Sequence, residues 1–306
     1  MDGILIINKP KQYTSHDVVA KVKKICGEKV GHTGTLDPMA TGVLPLLLGQ
    51  GTKLSKYLIN HDKTYIATIQ LGKKTDTLDS EGSILEERIV DGKLLNKENV
   101  QRVLECQIGK QIQTPPIYSA IKVNGKKLYE YARKGVEVEI PKREIEIYNI
   151  ELLDINEKDK TIEFRVHCSK GTYIRTLCHD IGQKLGCGAC MEKLTRTKVS
   201  RFEIKDSLTL AQIEVLKKED RLSEILIPID QMFANYPSII VSGEAARLAY
   251  NGNGIKDRDV RKDENILDEA YVRVYDDVED FIGVYQYHEK EREYRIRKMF
   301  YIKEEK

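Results

Sequence analysis

Asp37 stands inside the stretch GHTGTLDPMATGVLPLLLGQGTK, residues 31–53. Gly34, Pro38 and Gly42 bracket it, and an apolar run from Val43 to Leu48 follows. A chain that turns on glycine and proline and then enters a buried segment presents one side chain at a fixed point. A carboxylate there is ionised at neutral pH. It can be a nucleophile, a general base, a metal ligand or a turn residue. His32 is the other strong candidate in the loop.

Two further groups could do chemistry. Cys187-Gly188-Ala189-Cys190 is a CxxC, with His167, Cys168, Cys178 and His179 nearby in sequence. A structural zinc site usually draws on a second such pair. None is present, and Cys178 falls on the apolar face of a helical pattern, so no metal is expected. Asp76, Asp79 and Glu81 read as a solvated or RNA-adjacent turn rather than a magnesium site.

Charge is unevenly spread. Residues 1–205 carry 34 lysines and arginines against 26 acidic residues, and residues 206–306 carry 16 against 22. Two stretches, 109–135 and 167–201, concentrate the positive charge, with Tyr118, Tyr129, Tyr131 and Tyr173 among the cations. Cations neutralise phosphates and aromatic faces stack on bases. The acidic balance of the last hundred residues suits RNA poorly, although Arg292, Arg295, Arg297 and Lys298 offer one basic strand face. Six cysteines in 306 residues do not make a disulfide scaffold. No apolar stretch reaches the ~18–20 residues of a membrane span. MDGILIINKPK reads as a first strand ending at Lys9-Pro10 rather than a secretory signal. A cytoplasmic protein with reduced thiols and no membrane partner is expected.

The elements that must position Asp37 follow from periodicity. Thr14-Ser15-His16-Asp17 has capping-box spacing, and Val18, Val19, Val22 and Ile25 follow at helical intervals, which predicts a helix over 15–26. Further helices are predicted near 52–59, 97–108, 128–133, 172–186 and 244–250. Strands are predicted at 65–71, 136–140, 144–153, 161–168, 238–241, 271–275, 281–287 and 294–302. Residues 72–83 read as a polar loop, and Asn124-Gly125 as a hairpin turn. The irregular alternation predicts an α+β fold with a central mixed or antiparallel sheet flanked by helices. The boundary is placed within 218–235, giving domains 1–234 and 235–306, the latter a small β-barrel module.

The loop as a whole resembles the active-site motif of the TruB family of tRNA pseudouridine synthases. NKPKQYTSHDVVAKVK, KTYIATIQLGKKTDTLDSEG, TPPIYSAIKVNGKKLYEYARKG, CSKGTYIRTLCHDIGQKLGCGA and LTRTKVSRF resemble the family's other motifs, in the same order, over residues 4 to about 202. Residues 236–302 fit its C-terminal PUA-like module only by position and coarse pattern. The resemblance implies isomerisation of uridine 55 in the tRNA T-arm to pseudouridine, without a cofactor. It implies that Asp37 is the nucleophile, that Arg175 pairs with it and that Tyr65 stacks on the uracil. His32 would help to extrude the base, and Tyr173 and Leu194 would line its pocket. Lys9, Lys126, Lys127, Arg133 and Arg196 are expected to contact RNA.

The chemistry agrees with these residue types. Uridine isomerisation breaks an N1–C1′ bond and makes a C5–C1′ bond, with no atom gained or lost overall. It asks for a nucleophile, a slot that keeps the freed base, and exclusion of water. An arginine fork fixes a carboxylate and favours its ionised form. Without the resemblance, Tyr65 could be core, Arg175 a surface ion-pair residue and His32 a loop histidine. Two other readings compete: a non-catalytic RNA-binding protein on the same scaffold, and the guide-dependent branch of the superfamily. The lysine-rich insert at 109–135 resembles the stand-alone type, so a monomer acting on tRNA without guide RNA is expected. The C-terminal module is expected to add modest affinity.

Overall fold

A computed structural model describes residues 1–58 and 61–301. Its body is a nine-stranded sheet. Along the main path the strands run Gly3–Lys9, Thr41–Leu48, Ala189–Val199, Lys63–Leu71, Thr161–Cys168, Arg143–Asn156 and Gly109–Gln113. Val30–His32 pairs beside Thr41–Leu48, and Phe202–Glu203 beside Ala189–Val199. Thr41–Leu48 runs parallel to Ala189–Val199; the other pairs are antiparallel. The α+β class with a mixed sheet is therefore present.

Side-chain alternation explains the layers. In Gly3–Lys9, Leu5 and Ile7 pack with Val18 and Val22 of helix Ser15–Cys26 and with Ile213 of helix Leu210–Lys218. Ile4 and Ile6, on the opposite face, pack with Phe233, Val284 and Phe300. Both faces are covered, so the strand is apolar throughout. Helix Ser15–Cys26 starts at a capping box between Thr14 and Asp17 and stops at Gly27, whose φ of 75° suits glycine. Further along the sheet, helices Lys97–Glu105 and Ile174–Lys184 pack against Ile69, Phe164 and Val166.

The C-terminal part holds a six-stranded, nearly closed barrel-like sheet. Its order is Ile255–Lys256, Glu293–Met299, Phe281–His288, Tyr271–Tyr275, Ser238–Val241 and Val260–Arg261, with helix Gly243–Tyr250 packed on it. Among the described residues, no helix is long and apolar enough to cross a membrane.

Several expectations need correction. No strand forms at 136–140. The polar loop 72–83 contains a short strand, Lys73–Thr75, paired with Ile84–Glu87. The helix expected at 52–59 is a 3-10 segment, Gly49–Leu54, followed by one turn, Ser55–Leu58, and Ile59 lies outside the described residues. The last strand is Glu293–Met299, and residue 302 also lies outside them. Gly109–Gln113 and the central strand Ala189–Val199 were not anticipated at all.

Candidate active site

The Asp37 loop is pinned from below. The Ser15 hydroxyl accepts from Leu36 N at 2.9 Å, and Gln12 N donates to Pro38 O at 2.8 Å. Lys9 Nζ donates to Tyr13 O at 2.6 Å and reaches Pro38 O at 3.3 Å. The loop also closes on itself, Ala40 N donating to Asp37 O at 3.0 Å. With its neighbours fixed, Asp37 points one way, and its side chain is still 36% exposed.

Arg175 meets it. Arg175 lies in the first turn of helix Ile174–Lys184, and its side chain is 6% exposed. Its Nε stands 2.9 Å from Asp37 Oδ2, and its Nη2 donates to Asp37 Oδ1 at 3.3 Å. The remaining valences go to Tyr118 O at 3.0 Å and Thr77 O at 3.1 Å, with Asp79 Oδ2 3.7 Å from Nη1. Enclosure pushes the Asp37 carboxyl above its ordinary range; the Arg175 charge pulls it back, and Asp79 pushes it up again. A partly enclosed carboxylate facing a fixed cation is held in one orientation with an open side.

That open side faces a cleft of about 700 Å³, the size of a small-ligand site. Leu36, Asp37, Tyr65, Tyr173, Arg175 and Leu194 line it. Tyr65 belongs to strand Lys63–Leu71, and the neighbouring Ala189–Val199 strand carries Leu194. Burial raises the Tyr65 hydroxyl to about 12, so the ring is neutral. Tyr173 caps the arginine helix and is clamped by Gln113: its N–H donates to Gln113 Oε1 at 2.8 Å, and Gln113 Nε2 donates to its carbonyl at 3.0 Å. The structure thus brings together Asp37, Tyr65, Arg175, Tyr173 and Leu194.

His32 lies beside the cleft rather than in its wall, at the end of strand Val30–His32. Its buried Nδ1 has no hydrogen-bond partner among the described residues, and burial lowers its pKa. Lys126 and Arg133 are exposed and Lys127 is half-buried, with Lys127 and Arg133 both over the Tyr129 ring at 5.3 and 5.4 Å.

Two of the residues expected to contact RNA are buried, and Arg196 lines the cleft. Lys9 is wholly buried under the Asp37 loop, where desolvation lowers its pKa to about 8. Arg196 is 2% exposed and donates to backbone carbonyls. Neither presents its charge on the outer surface. Asp79 is likewise no solvated acid: it is buried, accepts from Thr77 Oγ1 at 2.6 Å and faces Arg175.

Lys63 and Ser119 line the cleft and Gln113 clamps Tyr173, roles not expected from the sequence. Lys63 lines the cleft two residues before Tyr65, on the same strand face, so the two-residue period could have found it. Its Nζ donates to His61 O, and desolvation lowers its pKa to about 8. Ser119 lines the cleft from the insert. Among the described residues, no three His, Cys, Asp or Glu side chains converge in a way that could hold a metal ion.

Known proteins share this plan. A family model described as TruB family pseudouridylate synthase, N-terminal domain, matches residues 21–174, and the tRNA pseudouridylate synthase B C-terminal domain matches residues 175–234. The chain is 44% identical to tRNA pseudouridine synthase B of Clostridium kluyveri over 301 residues, 98% of this chain and all of that protein. It is 43% identical to the protein of that name from Staphylococcus aureus over 305 residues, 98% of this chain and 99% of that one. Among solved structures, a Cbf5-Nop10-Gar1 complex superposes at a TM-score of 0.67 and 25% identity, covering 98% of this chain and 85% of that chain. An H/ACA RNP bound to substrate RNA gives 0.68 at 24% identity, covering 99% and 86%.

Proposed function

The chain belongs to the TruB family of pseudouridylate synthases, and from that premise we propose that it isomerises uridine 55 in the T-arm of tRNA, with Asp37 as the nucleophile. The observation that carries this reading is the Asp37 carboxylate, ion-paired with Arg175, on the wall of a cleft that also presents the Tyr65 ring.

The target base must leave its stack, at roughly a few kcal/mol. The exposed Lys126 and Arg133 of the insert offset that cost through phosphate contacts. His32, beside the cleft, takes the space the base leaves. Inside, uracil stacks on Tyr65, worth ~1–3 kcal/mol, with Leu194 and Tyr173 closing the slot. Asp37 then attacks C6 of the base or C1′ of the sugar; both routes fit one carboxylate. The N1–C1′ bond breaks, the base turns in the slot, and C5 bonds to C1′. The C5 proton leaves to solvent and N1 gains a proton. Atoms balance without a donor or an oxidant, so the reaction as written needs no cofactor.

We read residues 1–234 as the catalytic domain and 235–306 as the RNA-binding module, working as a monomer without guide RNA. The test is tritium release from a T-arm stem-loop labelled at C5 of uridine. Release by the wild type and none by Asp37→Ala, with RNA binding kept, is the expected result. Tight binding without release by either protein would favour a non-catalytic RNA-binding role.

A further inference from the structure

Arg196 carries a charge that the mechanism above does not use. Burying a guanidinium is costly unless its N–H groups are met. Here Nε donates to Val43 O at 2.8 Å, Nη2 to Gly34 O at 3.3 Å, and Nη1 reaches Thr35 O at 3.5 Å. Gly34 and Thr35 precede Asp37, and Val43 follows it. One planar group therefore grips both ends of the nucleophile loop. Its charge also acts on the hydroxyl of Tyr65, its direct cross-strand neighbour.

The backbone reinforces this arrangement. Arg196 lies beside Gly42 in the parallel register, and a Cβ on Gly42 would sit 2.2 Å from Arg196 O. The loop and the strand thus approach as closely as glycine allows. Were stability the sole demand, an apolar side chain of similar volume would serve as well as a buried charge. A guanidinium instead offers several donors in one rigid plane, which a lysine cannot copy.

We infer that Arg196 is a positioning residue: its guanidinium sets the gap between the Asp37 loop and the Tyr65 ring, the two walls of the base slot. The inference rests on the roles proposed for Asp37 and Tyr65. It places the effect of Arg196 on the chemical step and not on the grip on RNA.

The experiment compares wild type, Arg196→Lys, Arg196→Met and Tyr65→Phe. Each is assayed for single-turnover tritium release at saturating T-arm stem-loop, for RNA affinity and for thermal melting. Displacements of about 1 Å cost about 100-fold in rate, so both Arg196 variants should slow by about that factor per folded molecule. Their RNA affinity should stay within about threefold of wild type. Tyr65→Phe keeps the ring and severs its link to Arg196. Combined with Arg196→Lys, it should be no slower than the slower single variant. Wild-type rates per folded molecule would reduce Arg196 to a fastener of the fold and overturn the inference. Lost affinity with an unchanged rate would return it to an RNA contact. Should both Arg196 variants fail to fold, Tyr65→Phe decides, because a wild-type rate there excludes a role exerted through Tyr65. A wild-type protein that releases no tritium overturns the isomerase reading, and this inference with it.

Discussion

Arg175 approaches Asp37 with its side edge, Nε 2.9 Å from Oδ2 and Nη2 3.3 Å from Oδ1. The same Nη2 donates to the Tyr118 carbonyl at 3.0 Å. One nitrogen thus joins the candidate nucleophile to the basic insert, so a side chain far along the chain sets how the carboxylate stands.

The pair dictates a pH dependence. Enclosure raises the Asp37 pKa and Arg175 opposes the rise. In the proposed reaction the reactive form is the carboxylate, so the single-turnover rate should fall as pH drops through that pKa. Arg175→Met removes the opposing charge. Its acid limb should move to higher pH, and its plateau rate should drop about 100–1,000-fold. A pH–rate profile checks both; an acid limb that stays in place would exclude Asp37 as the titrating group.

Asp79 works at one remove. It accepts from Thr77 Oγ1 and from Glu81 N, and it faces Arg175 Nη1. Asp79→Ala should loosen the guanidinium while leaving the RNA surface alone. The expected outcome is a kcat lower by about 10–100-fold with stem-loop affinity unchanged, read from single-turnover kinetics beside filter binding.

The insert should act through salt. Lys126 and Arg133 are exposed, whereas Lys9 and Arg196 are buried. Removing Lys126 or Arg133 should weaken RNA binding and flatten the log–log salt dependence by about 1 per cation. A titration of affinity against potassium chloride that keeps its slope would place these residues off the RNA.

The C-terminal sheet is tied to the nine-stranded body by packing. Phe300 is 3% exposed in a cluster with Ile4, Leu47 and Val284. Phe300→Ala should cost about 3–5 kcal/mol, measured by urea unfolding. Deleting residues 236–306 would uncover the same cluster, so affinity in that variant should be compared per folded molecule.

Legibility in the sequence followed local signals. Helix Ser15–Cys26 was readable because its capping box and its apolar period agree. Ala189–Val199 escaped because a central strand with bulges near Glu192 and Thr197, carrying Lys193, Arg196 and Lys198, shows no clean alternation. VEVEI at 136–140 alternates well, yet it forms no strand. Asp37, Tyr65 and Arg175 were found through motif order, since no local pattern brings residues so far apart together. The burial of Lys9 and Arg196 is not legible, because sequence does not reveal which carbonyls will surround a charge. Asp79 was misread for the same reason.

The packing of Phe300 against Ile4 and Ile6 also bears on how the protein is made. The first strand of the nine-stranded sheet is sealed by a residue that follows the last strand of the C-terminal sheet. At roughly 5–20 residues per second, Ile4 waits about 15–60 s for that cover. Until then the underside of the first strand is covered only by the earlier members of the cluster, such as Leu54 and Phe233. A ribosome that stalls before Phe300 would hold a chain with its Asp37 loop complete and its apolar seam still open.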